Sequence, residues 1–125
     1  MLPLSTRVLV CTKPQDMRRS FDRLAQEVRE HVGEDPQGGA LFVFVSKSGT
    51  RVKVLWWERN GYCLLYKRLH RALFVLPSGH PHGHAAMRID GPALAHLLTG
   101  VALERADRIR VARSRENRTS RVDSA

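Results

Sequence analysis

Apolar and polar positions change their period along the chain, and the changes mark the elements. From Leu41 to Leu76 the apolar residues come in short runs, Leu41-Phe-Val-Phe-Val45, Arg51-Val-Lys-Val-Leu-Trp-Trp57, Tyr62-Cys-Leu-Leu-Tyr-Lys-Arg-Leu69 and Phe74-Val-Leu76, separated by Gly-containing turns. Short β-branched and aromatic runs of this kind predict an antiparallel meander. Arg7-Val-Leu-Val-Cys11 predicts a strand ahead of it, and Ala86-Met-Arg-Ile-Asp90 a short one after it. Between the first two strands the spacing changes to three and four. Met17, Phe21, Leu24, Ala25, Val28 and Val32 then fall on one stripe of a helix with Asp16 as its N-cap and Gly33 as its end. Gly91-Pro92 opens a second, short helix that runs through Leu98 and closes at Gly100. The expected fold is α+β, an antiparallel meander of about five strands against one long amphipathic helix. Residues 1–103 form a single domain and 104–125 an Arg-rich, flexible tail.

Asn60-Gly61 is the sharpest local signal, because a type I′ hairpin turn needs positive φ at both central residues. With those two residues at the turn, Arg59 faces Tyr62, Trp57 faces Leu64, Leu55 faces Tyr66 and Lys53 faces Arg68. Side chains alternate, so Val52, Val54, Trp56, Cys63, Leu65 and Leu69 share a core face, where the ammonium of Lys67 must snorkel out at the edge. The other face carries Arg51, Lys53, Leu55, Trp57, Leu64, Tyr66 and Arg68. A four-residue loop through Glu58 to Gly61 keeps the same faces, whereas a loop of three residues slips one strand by one and exchanges them.

Charge gives that second face a meaning. The chain of 125 residues has 21 Lys and Arg against 12 Asp and Glu, a formal net charge of +9. Such an imbalance favours a polyanionic partner, although it says nothing about the fold. Arg51, Lys53 and Arg68 can neutralise phosphates while Trp57 and Tyr66 offer planes for an exposed base. Lys67 and, from the helix start, Arg18 and Arg19 complete the candidate set, with the Arg-rich end in support. Cations at Arg18 and Arg19 oppose the positive end of the helix macrodipole, a local conflict of the kind found at functional sites. The same face has a second reading, in which Leu55, Trp57, Leu64 and Tyr66 are covered by the helix or by a partner and the cations lie at the rim.

Catalysis finds little support. The carboxylates before the tail, Asp16, Asp22, Glu27, Glu30, Glu34, Asp35, Glu58 and Asp90, form no pattern that would converge on paired metal ions. There is no Gly-Lys-Ser/Thr phosphate loop and no activated-nucleophile pattern around Ser46, Ser48 or Cys63. His80, His82 and His84 alternate in a Gly/Pro segment but have no Cys or carboxylate beside them, so polar loop residues are the expectation and neither metal nor cofactor is implied. Cys11 and Cys63 lack ligand spacing and read as thiols in a reducing, cytoplasmic setting. Neither a signal peptide nor an apolar run of about 20 residues is present, so no membrane role is expected.

Several segments together resemble a known family. Asp16-Met-Arg-Arg-Ser-Phe-Asp22, Gly39-Ala-Leu-Phe-Val-Phe44, Val54-Leu-Trp-Trp57, Gly61, Leu65-Tyr-Lys-Arg-Leu69 and Phe74 resemble the TnpB accessory protein of insertion-sequence family sixty-six, its second-reading-frame product, over about residues 7–100. Arg23 and Leu76 depart from the pattern, which has Gly and Trp there. The resemblance implies a small protein that works with a separate transposase in moving the element, and it carries no catalytic residues; with the residue patterns above, a non-enzymatic accessory role is the expectation. DNA and the transposase are the partners expected. The rival expectation is an adaptor that docks on the transposase or on itself without touching DNA.

Overall fold

A computed structural model describes residues 6–77 and 84–123, with side chains up to 116. His80 and His82 lie outside the described residues.

The two runs with the least polar content, β1 (Val8–Cys11) and β2 (Leu41–Val45), are buried at every position and lie side by side. They pair in parallel, Val8 opposite Leu41 and Cys11 opposite Phe44. A parallel pair needs a crossover, and the segment between them supplies it in α1 (Phe21–Glu27). The meander expectation is corrected here: the five-stranded sheet is mixed, with this parallel pair in its interior. Strands with no polar face are those covered on both sides, which is the property of β1 and β2 that calls for a central position.

The rest of the sheet is antiparallel. β3 (Arg51–Glu58) pairs with β2, β4 (Gly61–Arg68) pairs with β3 and forms one edge, and β6 (Ala86–Ile89) pairs with β1 and forms the other. Phe74-Val-Leu76 is not a strand. The two-residue β5 (Ala72–Leu73) instead pairs with β7 (Val101–Ala102) in a small separate sheet, and Phe74 goes into the core.

Each sheet face has its own core. On one side Leu9, Cys11, Phe42, Phe44 and Leu55 pack against Leu24 and Ala25 of α1 and against Val28 just after it. On the other, Val8, Val10, Val43, Val52 and Val54 pack against Phe74 and Leu97, the latter from α2 (Gly91–Thr99). Asp90 caps α2 by accepting from the Ala93 N–H at 2.8 Å, with Pro92 in its first turn.

The first helix ends at Gly33 as expected, but it starts later and its last turn is widened. The expected span from 17 to 32 begins only at Phe21, because Asp16 turns back locally. Its carboxylate accepts from the Arg18 backbone N–H at 2.9 Å, and its carbonyl from the Arg19 N–H at 3.1 Å, a turn that competes with helix. Arg18 and Arg19 therefore precede the helix, and the conflict with its macrodipole does not arise. After Glu27 the helix widens into a π turn, Val28–Val32, where the Gly33 N–H reaches back five residues to the Val28 carbonyl at 2.9 Å. Gly33 ends it at φ 75.

The Arg-rich end, expected as a flexible tail, is α3 (Leu103–Asp123). Ala106 docks it, fully buried, and the Arg113 guanidinium donates to the Leu76 carbonyl at 2.8 Å.

Candidate nucleic-acid interface

The hairpin of β3 and β4 builds the site. Its turn is made by Arg59 and Asn60, at φ 48 and 69, so Glu58 faces Gly61 and Trp57 faces Tyr62. The expected pairing, with Asn60-Gly61 central, is off by two residues. A shift of two preserves which side chains share a face. It also brings Trp57 edge-on to Tyr62, with ring centroids 4.9 Å apart and planes at 78°.

That shift places Arg51 directly opposite Arg68, and Lys53 opposite Tyr66. Two arginines at facing positions repel, which costs an isolated sheet stability. Arg51, Tyr66 and Arg68 together line a recess of about 280 Å³ at the sheet edge. No carboxylate is paired with either arginine among the described residues. Such a recess, two cations flanking a phenol ring with half its surface open, offers positive charge to an anion and a ring face to a planar group.

The remaining candidates are held elsewhere. Lys53 is only 5% exposed. Its ammonium donates to the Arg19 carbonyl at 2.6 Å and lies 4.9 Å from the Tyr66 ring centroid. It therefore supports Tyr66 from within and presents no charge to a partner. This is a correction: Leu55 packs against α1 and Lys53 is buried with its ammonium on the segment just ahead of that helix, so that part of the basic face is interior. Lys67 has the opposite parity, as expected, and its ammonium donates to the Leu98 carbonyl at 2.7 Å, near the C-terminal end of α2. Trp57 is half-buried against Tyr62 at the far end of the hairpin from the recess.

Arg18 clasps Asp16 through Nε at 3.1 Å and Nη2 at 2.7 Å, bonds that hold the Asp16 carboxyl well below the usual carboxylate range. Arg19 belongs to a network around the buried Glu27 carboxylate, which also accepts from Gln15 Nε2 at 3.0 Å and lies 2.9 Å from His31 Nδ1. A buried carboxylate requires such partners, and sequence alone gave no sign of which residues would supply them. The expected core face also thins out at the edge, where Leu65 is exposed.

Among the described residues no cluster of His, Cys, Asp or Glu has metal-holding geometry, and no helix is long and apolar enough to cross a membrane. His84 is exposed, and its carbonyl accepts from the Thr12 hydroxyl at 2.7 Å.

Comparison with known proteins places this arrangement in a family. A family model described as IS66 Orf2 like protein matches residues 6–108. Uncharacterized protein y4hO of Sinorhizobium fredii is 41% identical over 103 residues, covering 81% of this chain and 87% of that protein. Uncharacterized protein y4jC of the same strain is 30% identical over 102 residues, covering 82% and 85%. No solved structure matches the chain.

Proposed function

This chain belongs to the IS66 Orf2-like family of insertion-sequence accessory proteins, and from that premise we propose that it is a non-enzymatic partner of the element's transposase that contacts DNA through Arg51, Tyr66 and Arg68. The observation that carries this reading is the facing pair Arg51 and Arg68. A sheet gains nothing by placing like charges opposite each other, whereas an anion seated between them turns repulsion into binding. Tyr66, braced from within by the Lys53 ammonium, adds a stacking plane for a base in a frayed or single-stranded end.

The adaptor reading draws on a different observation. β4 is an eight-residue edge strand without proline, and it exposes Leu65 and Tyr66. An edge of that kind is a template for another strand.

Fluorescence anisotropy of a labelled duplex carrying the element's terminal repeat, against a scrambled duplex and a single strand at several salt concentrations, tests the DNA reading. Binding that is steeply salt-dependent and weakened in Arg51→Glu with Arg68→Glu is expected. Unchanged affinity in that folded double variant would remove this surface. A stable complex on a sizing column without DNA would instead favour the adaptor.

A further inference from the structure

A second site lies on the opposite side of the sheet. The segment 75–77, α2 and α3 enclose a groove of about 310 Å³, at the small end of ligand-binding clefts. Its walls are aliphatic, chiefly Leu76, Leu97, Val101 and Ile109, and three basic side chains, His96, Arg105 and Arg113, reach into its lining. Among the described residues no acidic side chain lines it. Leu97 and Leu76 belong to the core that backs this face, whereas the Arg51 recess opens on the face covered by α1.

We propose that this groove binds an acidic peptide segment of a partner protein, seating one large apolar side chain between α2 and α3 with carboxylates on Arg105 and Arg113. Charge complementarity selects that occupant. Aliphatic walls accept a Leu or Phe side chain, and with His96 as the one aromatic ring among the described lining residues a nucleobase would find no pair of aromatic planes to lie between. Arg113 is held in place by its bond to the Leu76 carbonyl, which uses one guanidinium donor and leaves others for a carboxylate. A second copy of this chain is a poor occupant, because each copy brings a net charge of +9. The inference rests on the reading that the protein works beside a partner protein, and it is independent of DNA contact at Arg51 and Arg68. With the two sites on opposite faces, a peptide and DNA can be held together.

The test titrates full-length protein into fluorescein-labelled Gly-Ser-Asp-Phe-Leu-Glu-Asp-Ser-Gly and into the counterpart in which Ser replaces each acid. Saturable binding of the acidic peptide is expected, at least about tenfold tighter than the neutral one and at least about tenfold weaker in Ile109→Ser. Arg105→Gln, at an exposed position that leaves the fold intact, should weaken it severalfold. Arg51→Gln with Arg68→Gln should leave peptide binding unchanged while reducing DNA binding. Equal binding of both peptides, indifference to Ile109→Ser and Arg105→Gln, or displacement of the peptide by duplex DNA would each overturn the groove. Loss of DNA binding alone would strike only the DNA reading.

Discussion

Replacing Arg51 and Arg68 together by Gln should move stability and DNA affinity in opposite directions. The two residues face each other across β3 and β4, so neutralising both removes a like-charge pair worth roughly 0.2–1 kcal/mol of destabilisation. For a domain of this size that is a rise of about 1–4 °C in Tm, larger at low salt, where screening is weaker. On DNA, each lost phosphate contact should lower the slope of log K against log salt by about 0.9, or about 1.8 for the pair. A fourfold increase in salt would then weaken the wild type about twelvefold more than the variant. Differential scanning calorimetry gives the first quantity and anisotropy at four salt concentrations the second. An unchanged slope would refute the phosphate-clamp geometry. A lowered Tm would refute the view that the pair is held against its own repulsion.

Three further substitutions probe the frame around the site. Gly100 has φ 81, and a Cβ there would stand 2.5 Å from Leu69 Cδ1, so Gly100→Ala should destabilise by about 1–3 kcal/mol in urea unfolding. Lys67→Ala removes the ammonium that serves the Leu98 carbonyl, and should cost about 1 kcal/mol while leaving the salt slope for DNA unchanged. Burial, with Glu27 nearby, pushes the Cys11 thiol from 9.0 up to about 12. The folded protein thus holds a proton that the unfolded chain releases first, so this stability is complete below pH 9 and is lost as pH rises towards 12. Cys11→Val should flatten the pH dependence of the urea midpoint in that window relative to wild type.

Much of the architecture was legible because burial and pleating leave periodic marks. The five strands of the main sheet, the short helix after Gly91 and the parity of the β3–β4 hairpin follow from alternation and turn chemistry, and the hairpin keeps its faces even though the turn moves from Asn60-Gly61 to Arg59-Asn60. The parallel pairing of β1 and β2 was legible in principle. Val8-Leu-Val-Cys11 and Leu41-Phe-Val-Phe-Val45 have no polar face, and a helix lies between them, which together signal a covered parallel pair. Other features had no local signal. Asp16 chooses a turn with Arg18 over capping a helix, and Arg-rich α3 carries no apolar stripe in sequence, yet it docks through Ala106 and Arg113. Which charges are engaged inside the molecule depends on contacts far apart in the chain, such as Lys53 with Arg19.

That last point changes what the net charge means. Of the eight side chains that sequence offered to DNA, Lys53 and Lys67 donate to backbone carbonyls, Arg18 and Arg19 meet carboxylates, and Trp57 packs on Tyr62. The formal +9 therefore overstates the cationic surface of the sheet, and a basic composition is partly a structural material here. What distinguishes Arg51 and Arg68 is position, since their strands place them opposite each other with neither engaged by a carboxylate among the described residues. A cation that folding needs is found bonded inside the fold, whereas one that a ligand needs is found opposed by its neighbours. By that criterion the recess at Arg51, Tyr66 and Arg68 is where an anion would repay the sheet for holding two like charges together.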